Sequence, residues 1–362
     1  MTGRERGTSP RKLDHIRICC ERAVSYGFTG FEDIRFVHDA LPGIDMDAVD
    51  PGTEFLGRKF AFPLFIAAMT GGHPDTKILN RHLATAAEKY GIPMGVGSQR
   101  AAIEDPRLED TFSVVRDTAP HAFLAANLGI VQLRDHGIEW VERAVEMIDG
   151  DAIAIHLNFL QEAIQPEGDH DATGCLDALR SLCEEYKYPV IVKETGSGIS
   201  AETAGLLRGA GVQAIDIGGW GGTSWAVVEG IRAGEGTDKG DAKRIALGEG
   251  LLEWGIPTAV SLGEVAGGGP VIATGGIRTG VDMAKALRLG ADLCGMALPL
   301  LQPAVGGEEL LNVEIDAIIL QLRAAMFLTG SRSIEELRKK RMLVTGVTRE
   351  MMGSHWESKD GY

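Results

Sequence analysis

The chain has 362 residues, enough for one large barrel or two ordinary domains, and its formal charge of −15 excludes a general nucleic-acid or anionic-membrane binder, because Lys and Arg mainly hold such partners. With 48 glycines and only 6% aromatics, it suits a fold of many tight strand-to-helix turns better than an aromatic-rich sandwich. Cys19, Cys20, Cys175, Cys183 and Cys294 form no CxxC pair or Cys/His metal spacing. The first ten residues lack an apolar signal core, and no run nears the roughly 20 residues of a membrane span, so a cytoplasmic protein is expected.

Near the start, Arg11-Lys12-Leu-Asp-His15 is a small basic cluster in an acidic chain, ordinarily a solvated face. After an extension of about 60 residues, short apolar runs begin at Phe62, Ile92, Ala122 and Ala152, thirty residues apart, the size of one strand-helix unit. Four more follow: 188–192, 214–217, 270–273 and 291–296. Helix-period segments lie between them, among them 79–90, 138–148, a segment opened by Ser200 as N-cap, and 281–288. Eight alternations predict an α/β fold, a (β/α)8 TIM barrel, in one domain over 1–362. An open doubly wound sheet is disfavoured because no GxGxxG opens the first unit. Residues 221–269 form an oversized insertion between strands six and seven. Its polar stretch 233–242 is a candidate lid. C-terminal helices are expected over 305–362, including an apolar one at 315–327, and Ser333-Ile-Glu-Glu336 has capping-box spacing.

A barrel places its chemistry at the C-terminal ends of its strands. Those ends read Met69-Thr-Gly-Gly72, Gly97-Ser-Gln-Arg100, Asn127, His156 with Asn158, Gln161 and Glu162, Lys193, Gly218-Gly-Trp-Gly-Gly-Thr-Ser224, Gly275-Gly-Ile-Arg278, and Ala297-Leu298. One polar strand end is ordinary, but polar groups around the whole ring describe a functional mouth. The glycine turn at 275–280 is either a tight turn or a phosphate cradle, and its place after strand seven favours phosphate. Lys193 reads equally as a Schiff-base lysine, an ion-pair partner or a fixed charge beside an anionic cofactor. Thr70, Ser98 and Asn127 singly resemble loop caps. Glu162 alone is a solvated helix-start glutamate. Beside His156, Asn158 and Gln161 it becomes a magnesium candidate, because one carboxylate with substrate phosphates and water is a common arrangement.

These words in this order resemble the type 2 isopentenyl-diphosphate isomerases, FMN-dependent (β/α)8 flavoproteins, across nearly the whole chain. His156-Leu-Asn-Phe-Leu-Gln-Glu162 and Met69-Thr-Gly-Gly72 are specific in combination, whereas Gly-Gly-Ile-Arg occurs in many flavin barrels. The resemblance implies that FMN rests against Ala68, Met69 and Thr70, with Ser98, Asn127, Lys193 and Thr223 around the ring. Gly275, Gly276, Ile277, Arg278, Ala297 and Leu298 would lie toward its phosphate end. It further implies that Arg11, Lys12, Ser98, Arg100, His156 and Asn158 bind a diphosphate substrate, that Gln161, with His156, is catalytic beside the isoprenoid carbons, and that Glu162 holds Mg2+. NADPH would supply the reduced flavin, whose N5 region is the acid and base, and the protein would be a homo-oligomer, tetramer or octamer. Two alternatives are an FMN-dependent oxidoreductase of the 2-hydroxy-acid oxidase type, whose His-Gly-Gly-Arg word is missing after strand six, and a non-catalytic flavin or phosphate-binding barrel.

Overall fold

The computed structural model describes residues 8–165, 167–234 and 241–353. Eight parallel strands close into a barrel: β1 (Leu64–Ile66), β2 (Met94–Gly95), β3 (Leu124–Gly129), β4 (Ala152–Leu157), β5 (Val190–Glu194), β6 (Ala214–Asp216), β7 (Val271–Thr274) and β8 (Leu293–Met296). The seam joins β8 to β1, with Cys294 opposite Leu64 and Met296 opposite Ile66. Every expected strand is present, and β3 and β4 run farther toward the mouth than their apolar runs suggested.

Strand alternation divides two cores. Ile153 and Ile155 of β4 pack with Val190 and Val192 of β5 in the layer beneath the helices. Ala152 and Ala154 instead join Phe65, Ala125, Ile191 and Ile272 inside the barrel. An antiparallel pair, Thr53–Phe55 with Arg58–Phe60, adds Phe55 and Phe60 to that inner core. Its Arg58 pairs with Asp151 (2.7 Å) and donates to the carbonyl of His121 (3.0 Å), residues that precede β4 and β3. The hairpin therefore covers the N-terminal end of the barrel and leaves the C-terminal end for chemistry.

The flanking segments are knit together in a way the sequence did not announce. Ile34–Phe36 pairs antiparallel with Met342–Val344, so the N-terminal extension and the C-terminal region share a two-stranded sheet. The insertion contains helices Trp225–Gly234, Asp241–Gly250 and Thr258–Val265, while residues 235–240 of the expected lid lie outside the described residues. Ser200 caps its helix by accepting from Thr203 N (3.2 Å). Ser333 likewise accepts from Glu336 N, but Glu336 takes Arg332 N, so only half of the capping box forms. Helix Glu308–Phe327 is longer than expected and buries Leu311, Ile315, Ile318, Leu322 and Met326. No helix among the described residues is long and apolar enough to cross a membrane.

Candidate active site

The C-terminal ends of all eight strands surround a cavity of about 220 Å³. Arg11 and Lys12 reach it from helix Thr8–Glu21, which is held against helix Trp225–Gly234 by Ile18, Val24 and Val228. The wall carries Arg11, Lys12, Arg100, Lys193 and Arg278 against one carboxylate, Glu162. A chain of charge −15 thus gathers cations at one place, as an anionic ligand requires. Ala68, Met69, Ser98, Asn127, His156, Asn158, Gln161, Thr223, Gly275, Gly276, Ile277, Ala297 and Leu298 complete the expected set in the wall. Thr70 is the exception. Its carbonyl accepts from Gly97 N (2.9 Å), and its buried Oγ1 has no partner among the described residues.

At the end of β4 the chain leaves strand geometry at Asn158 and enters the short helix Phe159–Ile164. That switch brings three side chains together. Asn158 Nδ2 donates to Glu162 Oε1 (2.7 Å) and, more loosely, to Gln161 Oε1 (3.4 Å). Gln161 Nε2 donates to Glu229 Oε1 (2.9 Å), so the Gln161 carboxamide is pinned at both ends. Glu229 is a buried carboxylate that also meets His15 Nε2 (3.0 Å) and Arg232 Nε (2.6 Å). Burial alone would raise its pKa, but His15, Arg232 and Gln161 outweigh it and hold the carboxyl at about 2. The sequence reading missed Glu229, though it sits one helical turn beyond Trp225, whose ring meets His15 edge-on at 5.0 Å.

His156 Nδ1 lies 2.8 Å from Asn127 Oδ1. Because Asn127 Nδ2 already donates to the Val96 carbonyl (3.0 Å), the imidazole Nδ1–H is the donor and Nε2 keeps its lone pair. Burial first, then Lys12, Lys193 and Arg11, drive its pKa down to about 3. The ring is neutral in the free site. Lys193 Nζ rests 3.4 Å from buried Asp216 and donates to the Glu194 carbonyl (3.0 Å), so it is a fixed cation with a counter-ion.

The glycine-rich turns are packed backbone to backbone. Gly218 has φ +46°, and a Cβ there would stand 2.0 Å from the Glu194 carbonyl oxygen. Gly218→Ala is therefore expected to lower the unfolding free energy by about 2 kcal/mol or more, read by denaturant unfolding; an unchanged midpoint would show that the two turns yield easily. Trp220 in the same turn donates from Nε1 to the Leu252 carbonyl (2.9 Å) and stacks edge-on against Phe28. It links the insertion to the N-terminal extension. Gly275 and Gly276 (φ +119° and +67°) lie flat against Gly219 and Gly221, and Thr279 opens helix Gly280–Leu289 with a full capping box.

These features fit a flavin phosphate and ring. The backbone of Gly275, Gly276 and Ile277 lines the cavity, whereas the amides of Arg278, Thr279, Gly280 and Asp282 at the helix start are taken by the side chains of Asp282, Gln321 and Thr279, so a phosphate would be met by the glycine turn. Thr274 Oγ1, in the cavity wall, is buried without a partner among the described residues. Glu162 suits a magnesium ion shared with phosphates. Oε1 accepts one hydrogen bond, leaving a lone pair for a cation, while Asp169 N (2.9 Å) and Gln165 hold Oε2.

An eight-stranded barrel with a cationic mouth and a glycine turn after β7 defines a class, and the family of FMN-dependent dehydrogenases matches residues 19–113 and 154–344. Solved structures agree on the fold. A mandelate oxidase superposes with TM-score 0.63 at 18% identity, covering 92% of this chain and 95% of the other. A Pediococcus acidilactici protein described as a lactate oxidase gives 0.62 at 18%, over 92% and 87%. Much nearer are proteins named isopentenyl-diphosphate delta-isomerase. That of Methanoregula boonei is 61% identical over 96% of this chain and 97% of its own length. Those of Archaeoglobus fulgidus and Halobacterium salinarum are 51% and 50% identical, over 95% and 97% of this chain and 98% of each relative. The chain belongs to the type 2, FMN-dependent isopentenyl-diphosphate delta-isomerase family.

Proposed function

We propose that this enzyme interconverts isopentenyl and dimethylallyl diphosphate by placing a proton on the terminal alkene carbon and removing one from the carbon next to the diphosphate-bearing methylene. The carrying observation is the linked arrangement of Asn158, Gln161 and Glu162 beside a wall of five cations. Arg11, Lys12, Arg100 and Asn158 bind the diphosphate directly, the neutral His156 meets it through a water that donates to its Nε2, and Glu162 positions Mg2+ on it. Ala68, Met69, Ser98, Asn127, Lys193, Thr223, Gly275, Gly276, Ile277, Arg278, Ala297 and Leu298 hold FMN, with Thr70 set behind the wall. When bound and reduced by NADPH, FMN supplies the acid and base near its N5. Gln161, oriented by Glu229, fixes the alkene against that position, while Lys193 stabilises negative charge on the reduced ring. Helix Glu308–Phe327 leaves Leu310, Val313 and Leu320 exposed opposite its buried face, which supports self-association; a tetramer or octamer in the cytoplasm is the assembly proposed. The direct test is anaerobic incubation with isopentenyl diphosphate, Mg2+, FMN and NADPH, following dimethylallyl diphosphate by NMR; absence of FMN-dependent product rejects the reading.

The cation wall also gives a pH dependence. Burial and neighbouring Arg11 pull the Lys12 pKa down to about 8, so in the free enzyme its charge fades above that pH. The protonated form binds the diphosphate. KM should therefore be flat below pH 8 and rise above it, approaching tenfold per pH unit, with Lys12→Arg abolishing the rise. A KM flat to pH 9.5 in the wild type would remove Lys12 from the diphosphate site.

A further inference from the structure

In the free enzyme, two of the cations assigned to the diphosphate already have partners. Arg11 Nη1 donates to Gln165 Oε1 (3.2 Å) and pairs with Glu167 Oε1 (3.3 Å). Arg232 Nη2 holds the same Glu167 oxygen at 2.9 Å. Arg100 Nε donates to Glu104 Oε1 (2.8 Å) on its own helix, and its Nη1 stands 3.5 Å from Asp169 Oδ2, which also accepts from Gln132 Nε2 (3.2 Å). The same short stretch reaches the candidate metal carboxylate, since Gln165 Nε2 and Asp169 N both donate to Glu162 Oε2. Meanwhile Arg11 Nε is buried without an acceptor among the described residues. Its guanidinium is held by a carboxylate on one side and lacks an acceptor on the other.

We propose that Glu167 and Asp169 are resident counter-ions that occupy Arg11 and Arg100 in the free enzyme and compete with the incoming diphosphate for them. This rests on the diphosphate reading of the site. Both carboxylates are tethered beside their arginines, so they compete at high effective concentration however dilute the substrate. Their side chains are 48% and 38% exposed, so release into water costs them little desolvation. A diphosphate with its metal brings several charges and many acceptor oxygens, including one for Arg11 Nε, and can displace them. A monophosphate or a single carboxylate brings too little charge to displace both. The pair thereby sets a charge threshold, selecting diphosphates over smaller anions of the same compartment.

The test is calorimetric binding of inorganic pyrophosphate with Mg2+, and separately of inorganic phosphate, to the FMN-loaded protein. The wild type is compared with Glu167→Gln, Asp169→Asn and the double variant. Each single substitution should tighten pyrophosphate binding about two- to fivefold, the range expected for a partly exposed ion pair. Phosphate should gain more than pyrophosphate, narrowing the discrimination, and the gains should shrink at high salt; an equal or smaller gain for phosphate overturns the charge threshold. Unchanged or weaker pyrophosphate binding in the variants, beside a binding wild type, overturns the proposal and leaves the site reading intact. If no form binds pyrophosphate, the diphosphate reading falls and the proposal with it.

Discussion

Gln161→Ala is expected to lower turnover about 10²-fold, the scale set by misplacing a reacting group, while bound FMN is retained. The reason is geometric. Gln161 sits between Asn158 and Glu229, accepting from Asn158 and donating to Glu229, and it lines the cavity without belonging to the glycine turn at 275–277. Its removal deletes a carboxamide held by Glu229, and Glu229 keeps two other partners, His15 and Arg232, so the fold should survive. Kinetics with a flavin absorbance spectrum of the purified variant decide the matter. Full turnover would discard the role of Gln161, whereas lost flavin would recast it as a structural residue.

Glu162→Gln is expected to raise the Mg2+ concentration for half-maximal activity at least about tenfold and to lower activity at limiting metal. The neutral amide keeps the size of the side chain and can still accept from Asn158, but it offers a cation no charge. One of its oxygens also becomes an NH2 that must face the donors Gln165 and Asp169 N, so some local rearrangement accompanies the change. A magnesium titration with and without EDTA measures the effect. Activity indifferent to both chelation and substitution would remove the metal from Glu162.

Much of this architecture is legible in the chain because it is written in local patterns. Thirty-residue spacing of apolar runs locates the strands, and period-2 alternation explains why Ala152 and Ala154 fill the barrel while Ile153 and Ile155 face the helices. Polar residues at strand ends mark the mouth because packing does not require them there. What escaped the sequence depends on long-range contact. The pairing of Ile34–Phe36 with Met342–Val344 joins segments about 300 residues apart and has no local signature. Glu229 is one glutamate among many until helix Trp225–Gly234 is laid beside helices Thr8–Glu21 and Phe159–Ile164, when it meets His15 and Gln161. Glu167 and Asp169 look like solvated loop acids for the same reason. Only the fold shows that they face Arg11 and Arg100. Gly218 reads as turn chemistry, yet its cause is the Glu194 carbonyl of the neighbouring strand.

The central claim is a flavin enzyme whose reaction moves protons but no net electrons, on a fold shared with oxidases. It is tested most directly by the ratio of NADPH consumed to dimethylallyl diphosphate formed, measured anaerobically over many turnovers with FMN and Mg2+ present. The account predicts a ratio far below one, with NADPH spent only in first reducing the bound flavin. Stoichiometric NADPH consumption, or consumption without product, would contradict it and place the chain's chemistry among the FMN-dependent oxidoreductases.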